Sequence, residues 1–449
     1  MSEQKQMKIQ LSDHFSYRKL LRFTLPSIVM MIVTSLYSIV DGLFVSNLVG
    51  DMAFSAVNIV MPITMIVGAF GFMLGTGGSA VVAKTMGMGE DDLANRYFSL
   101  IITAVAVTAL VASVLCIVFI EPLMRLAGAS DLLMDDCIRY GRIMLAGSLM
   151  FMLQVAFQSF LVVAEKPQMG LAVSVAAGIT NMIFDYVLIK IAGMGIEGAA
   201  YATVLGYCVA GGIPLFYFLF CKKSRIRLVI PKFYGKVLIE ACTNGSSEMM
   251  NNIATSIVSI LFNVQLMKMI GEQGVAAFGV MMYVDFIFLG TFMGFSMGSA
   301  PVISYHYGAK NHDELKNLFR KCMIIIGGFS IVMVISSQLL CEPLSRIFVG
   351  YDAALLEMTV HGFHLFALNY LFCGINVFGS AFFTALCNGK VSALLAFLRS
   401  FLFRGGMVLV LPVLFGVDGI WYAVAAAELL AAVFTVAFFV RKRKIYHYA

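Results

Sequence analysis

The chain has 449 residues, of which 60% are hydrophobic and only 12% charged, with a net charge of +6. So few charged side chains cannot cover a water-facing surface of this size, which excludes a soluble globular protein and leaves a polytopic membrane protein. The positive balance calls for no nucleic acid, because basic residues beside anionic inner-leaflet lipid account for it.

The first 19 residues are polar and charged, with no apolar core before a small-residue cleavage site, so no signal peptide is expected. Apolar runs then recur along the whole chain, each long enough to cross about 30 Å of hydrocarbon as a helix. They predict twelve spans, at 20–46, 53–82, 97–119, 137–163, 168–190, 197–221, 237–267, 275–304, 318–340, 360–386, 391–412 and 419–440. Run length favours helices over barrel strands, which alternate polar and apolar residues over about ten positions. The predicted fold class is therefore an all-α integral membrane protein of twelve transmembrane helices in two pseudo-symmetric six-helix lobes. The amino-terminal lobe is 1–221, the basic cytoplasmic linker 222–236 and the carboxyl-terminal lobe 237–449.

The two lobes follow from an internal repeat. A shift of 221 residues lays Gly50 on Gly271, Ala56 on Ala277, Gly77 on Gly298 and Gly87 on Gly308. The same shift lays "EPLMR" (121–125) on "EPLSR" (342–346) and "EGAAYA" (197–202) on "DGIWYA" (418–423). Matches at one offset in three separated places indicate duplication. Six spans per copy is an even number, so the copies run parallel about an axis along the membrane normal, a form common among transporters.

Orientation comes from the basic residues. With both termini cytoplasmic, the inner segments hold 23 of the 31 Lys and Arg, the outer loops six and span eleven two, a positive-inside bias. The nine cysteines are scattered without a C-x-x-C pair, so neither a disulfide framework nor a structural metal is expected.

Polar residues inside the spans carry the functional signal, because an ionised carboxylate costs roughly 2.5 to 3.5 kcal/mol at the bilayer centre. Asp41 lies five residues inside the outer end of predicted span one, Asp185 five inside that of span five, and Thr203 six inside that of span six. At 1.5 Å per residue all three sit roughly 8 to 9 Å below the outer boundary. Asn181 shares the Asp185 face, and Thr34, Tyr37 and Ser38 share that of Asp41. Adding 221 to Asp41, Asn181, Asp185 and Thr203 reaches Phe262, Leu402, Gly406 and Val424, so the fold itself does not require the polar set. Two carboxylates close together in a low dielectric cannot both ionise cheaply. That describes a proton site and, with the Asn181 and Thr203 oxygens, equally a sodium site. Pro26 removes a backbone hydrogen bond within span one, where a bend would move the Asp41 end of the helix.

In the second half Glu248, Asp285, Arg399, Arg404 and Glu428 fall near mid-membrane and form a candidate substrate cavity or buried charge network. Buried pairs, for example Glu248 with Arg404, would lower the cost of burial. Five intramembrane acids against two arginines favour cationic cargo. Gly71-x-x-x-Gly75 and Gly290-x-x-x-Gly294-x-x-x-Gly298 make small-residue stripes suited to close helix packing. His361 and His364, three apart near the outer end of span ten, suit interfacial hydrogen bonds better than a metal pair. A phosphate-loop or zinc-protease motif is not found, so the chain is not expected to be an enzyme and would draw on an ion gradient.

With two six-helix halves, Pro26 to Asp41 in "SIVDGLFV", "GTGGSAVVAKTMG" ending span two, "NMIFD" in span five and "GIEGAAYATVLG" leading into span six, nearly the whole chain resembles the multidrug and toxic compound extrusion (MATE) transporters. The likeness is to their prokaryotic DinF-like branch. The resemblance implies export of lipophilic, often cationic small molecules in exchange for H+ or Na+ by alternating access. It implies coupling through Asp41, Asn181, Asp185 and Thr203, with Pro26 as the hinge of span one. No cofactor beyond the coupling ion and no metal is expected. The expected partners are small-molecule substrates and membrane lipids, the expected state a monomer, and the expected location a bacterial or archaeal cytoplasmic membrane. Span ten carries no acid where the sodium-coupled branch has one, which argues against coupling through the carboxyl-terminal lobe. The alternative reading is a flippase for lipid-linked glycans, which would call for a cavity rich in Arg and Lys. A membrane-embedded enzyme would need a clustered catalytic set.

Overall fold

The computed structural model describes residues 9–350 and 352–449; within the helices, the side chains at 38, 39, 42–47, 51 and 54 lie outside that description. Eleven of the described helices are long and apolar enough to cross a membrane, and a pair bent by 50° makes the twelfth span. In chain order the spans are Tyr17–Leu48, Asp51–Gly87, Asp91–Val118, the bent pair Met134–Ala146 and Ser148–Val163, Pro167–Asp185 with the π-turn Tyr186–Ile191, and Gly195–Phe220. The second half follows with Gly235–Met269, Glu272–Gly308, His312–Val349, Ala353–Phe366 with Tyr370–Ala385, Gly389–Phe397 with the π-turn Leu398–Phe403 and Arg404–Phe415, and Val417–Tyr446. Each coincides with one predicted span. On span three Val107, Leu110, Val111 and Val114 are all more than half exposed, at helical spacing. An apolar stripe turned outward is what a helix facing lipid requires.

The repeat is visible in backbone geometry. Asp51 and Glu272 open spans two and eight, Gly87 and Gly308 close them, and Asp91 and His312 open spans three and nine, all at the same shift. Gly50 (φ 109°) and Gly271 (φ 90°) take the left-handed turn before spans two and eight, a conformation only glycine adopts without strain. The break at Gly147 in span four falls on residue 368, inside the three-residue turn Ala367–Asn369 that interrupts span ten. A side chain at Gly147 would meet Val204 of span six at 2.5 Å, so the break permits a close helix approach. The Ser113 hydroxyl donates to the Leu145 carbonyl beside it, one of the identifiable causes of a kink.

The halves touch mainly through spans one and eight and spans two and seven. On span eight Gly290, Gly294 and Gly298 lie against Met31, Ile28 and Thr24 of span one. Gly77 lies against the Ala241 carbonyl and Gly245 against that of Met73, where an added Cβ would sit only 2.0 and 1.8 Å from the oxygens. By contrast, Gly71 and Gly75 turn to Met152 and Ala156 of span four, within their own half. Lys84 pairs with Glu240 at 3.2 Å, and the Ser35 hydroxyl donates to the Phe286 carbonyl at 3.2 Å. These contacts form a seam on the side where spans one and seven begin, and Asp41 lies beyond it.

Candidate functional site

In the first half, spans one, five and six meet at Asn181. Its amide donates to Asp41 Oδ1 (3.3 Å) and to Thr203 Oγ1 (3.4 Å), and the Thr203 hydroxyl donates to the Ala199 carbonyl (3.0 Å). Gly206 allows the approach, because a Cβ there would lie 3.2 Å from the Ala177 carbonyl and 3.5 Å from Asn181 Cβ. Gly178 faces the Tyr37 ring in the same way and lets span one lie on span five. Asn181 and Asp185 are fully buried and Asp41 is partly exposed. Among the described residues, Asn181 Oδ1 has no hydrogen-bond partner, and the Asp185 carboxylate has none beyond the Asp41 carboxylate beside it. Asp185 also ends the α-helical part of span five, at the entry to its π-turn. The added residue in such a turn changes the direction of the side chains around it.

Two aromatic neighbours were missed by sequence reasoning. Tyr140 of span four and Tyr207 of span six join Tyr37 within electrostatic reach of Asp41. Tyr207 follows Thr203 by four residues and so shares its face, a signal present in the sequence. Tyr140 sits just before the Gly147 break, and only packing brings it to the site.

In the second half the charges are organised around Glu428. Its Oε1 and Oε2 accept from Arg399 Nε (2.9 and 3.0 Å), Oε1 also accepts from Arg404 Nη2 (2.6 Å), and Oε2 accepts from Asn376 Nδ2 (2.7 Å). The suggested pairing of Glu248 with Arg404 is therefore corrected: both arginines go to Glu428. The cause is the π-turn Leu398–Phe403, which carries Arg399 and leads directly into Arg404, so that both reach span twelve. Among the described residues Glu248 has Arg399 as its charged neighbour but forms no ion pair with it, since Arg399 pairs with Glu428. Asp285 and Arg404 line a small pocket of about 20 Å³ with Thr255, Ser259, Phe278 and Phe366. That is room for one water. His361 and His364 part company: His361 Nε2 lies 2.8 Å from Asp418, whereas His364 meets Gln338 and Cys341. Among the described residues no three metal-ligating side chains converge.

The MatE family model matches residues 26–187 and 249–406, most of both halves. The chain belongs to the MATE family. Among curated relatives, the multidrug export protein MepA of Staphylococcus haemolyticus (strain JCSC1435) is 22% identical over 435 residues, covering 93% of this chain and 91% of its own. The FAD transporter of Shewanella oneidensis is 25% identical over 354 residues, 76% of each chain. Among solved structures, a MATE protein in complex with MaL6 superposes with a TM-score of 0.92 at 19% identity, covering 99% of this chain and all of the other. The fold is thus that of the MATE transporters, which are multi-pass membrane proteins and not enzymes. Pro26, the hinge implied by that resemblance, is buried within the first span of this MATE chain, and the helix Tyr17–Leu48 runs through it without interruption.

Proposed function

We propose that this MATE protein is a secondary active exporter that moves lipophilic, often cationic small molecules out of the cell in exchange for protons or sodium. The observation that carries the reading is the first-half cluster. Among the described residues, the buried Asp185 carboxylate has no partner beyond a second carboxylate at Asp41. Charge left so is costly, and an arriving proton or hard cation removes the cost. Asp41, Asn181, Asp185 and Thr203 together offer several oxygens to such an ion, as sodium coupling would need, while proton coupling needs only the two acids.

Exchange follows from competition. An ion taken up from outside discharges the cluster and releases a bound cation; its loss inside restores the negative charge. Tyr37, Tyr140 and Tyr207 add aromatic faces that suit a cationic ring system. In the second half Glu428 is occupied by two arginines, which leaves Glu248 and Asp285 as the mid-membrane acids outside an ion pair among the described residues, and Asp285 lines a pocket that a change of state would have to widen to admit cargo. Alternating access uses the lobes 1–221 and 237–449 as moving bodies joined by the linker 222–236, with Pro26 as the hinge of span one. The state seen, with its inner seam closed, fits loading of the ion from outside. Both termini face the cytoplasm of a bacterial or archaeal cell, no further cofactor is used, and the monomer is the working unit. A flippase for lipid-linked glycans is less favoured, because two arginines already committed to Glu428 leave little to hold phosphate.

The test is uptake of a cationic dye into proteoliposomes under an imposed proton gradient and then a sodium gradient, comparing native protein with Asp41→Asn. Transport that follows one gradient and is lost in the variant supports the proposal and names the ion. Unchanged gradient-driven transport in Asp41→Asn would refute it.

A further inference from the structure

Two segments outside the membrane cross from one half to the other on the inner side. Residues 9–16, ahead of span one, lie against span nine. The Phe15 N–H donates to Glu314 Oε1 (2.9 Å), His14 Nδ1 lies 2.5 Å from Glu314 Oε2, and the Phe15 carbonyl accepts from Asn317 Nδ2 (3.1 Å) and Lys321 Nζ (2.5 Å). The linker ahead of span seven lies against span three in a related way. There the Arg227 N–H donates to Asn95 Oδ1 and the Val229 N–H to Ser99 Oγ, both at 2.8 Å. The segments meet at Glu165, in the loop between spans four and five. Its Oε1 accepts from the Leu11 N–H (3.0 Å) and from Arg225 Nη1 (2.8 Å), and the Arg225 guanidinium lies 5.5 Å from the Tyr305 ring of span eight.

These bonds are more than incidental packing. Leu11 and Phe15 are fully buried, and the Glu165 and Glu314 side chains are only 2% and 7% exposed, so solvent screens the charged bonds little. Asn311 caps span nine by accepting from the Glu314 N–H (3.1 Å), one half of a capping box. The glutamate that would complete the box serves Phe15 and His14 instead. The repeat supplies a control: Leu93 stands one repeat away from Glu314, and Cys387 takes the place of Glu165 in its loop, with φ 55° against 60°, so neither position needs an acid to fold.

We infer that the two segments form a clasp that holds the inner side of the halves together and parts at Glu165 and Glu314 before the inner seam opens. The inference rests on the alternating opening proposed above. Two native thiols report on the seam: Cys242 follows Ala241, whose carbonyl meets Gly77, and Cys387 neighbours the Lys84–Glu240 pair. The experiment measures maleimide labelling of each cysteine by mass spectrometry in the purified full chain, native against Glu165→Gln with Glu314→Gln. Labelling of Cys242 and Cys387 should rise several-fold, with the buried Cys137 of span four unchanged. Native rates at the seam, or a parallel rise at Cys137 showing general loosening, would overturn the clasp. If the double variant does not fold, His14→Ala, whose side chain is 73% exposed, decides by the same readout with a smaller expected rise. Labelling needs neither gradient nor cargo, so its failure and that of ion coupling at Asp41 are read separately.

Discussion

Glu428 and Asp285 are both buried acids of the second half, but their surroundings give them different work. Replacing Glu428 with Gln leaves two guanidiniums facing one amide, and breaking a buried ion pair costs about 3–5 kcal/mol. The expected result is a thermal midpoint in detergent lowered by several degrees. Asp285→Asn disturbs no ion pair among the described residues. It should leave the midpoint nearly unchanged while raising the concentration of cationic dye needed for half-maximal transport. An equal thermal loss in the two variants would contradict this division. Reading polar residues along the spans singled out Asp41, Asn181 and Thr203, which the structure joins by hydrogen bonds. It could not choose partners for Arg404, because the π-turn that aims it leaves no mark in the local sequence.

At the scale of elements, two glycine stripes that look alike in sequence do different jobs. An alanine at Gly294 would put its Cβ 2.5 Å from Ile28 Cα and 2.7 Å from the Ser27 carbonyl. Backbone cannot rotate out of the way, so spans one and eight would separate. Gly294→Ala should cost about 1–3 kcal/mol, seen as earlier unfolding, and should also quicken labelling of Cys242. Gly279 is the control on the same helix, with nothing within 4 Å of an added Cβ. Gly279→Ala should be neutral or stabilising by up to about 1 kcal/mol through the higher helix propensity of alanine. Small residues at helical spacing are readable as a flat surface. Whether the neighbour is span four, as for Gly71 and Gly75, or span one of the other half, as for Gly290 to Gly298, depends on how the twelve helices are arranged.

At the scale of the whole molecule, the proposed orientation rests on charge asymmetry and is open to a direct check. Cys221, just ahead of the linker and partly exposed, should react with a membrane-impermeant maleimide in inside-out vesicles and stay protected in intact cells. The reverse pattern would invert the assigned topology and exchange the inner seam for an outer one. The sequence by itself determined the solvent, the twelve spans and the duplication. Each of these depends on one-dimensional spacing, either apolar run length against bilayer thickness or a repeat at constant offset. Only the tertiary structure decided that Asn181 links Asp41 to Thr203, that Tyr140 joins them, that both arginines meet at Glu428, and that residues 9–16 and the linker converge on Glu165. Those contacts join residues far apart along the chain, and helix rotation, the π-turns and the break at Gly147 select them. Hydrophobic periodicity records which residues avoid water; it carries no information on which helix stands next to which.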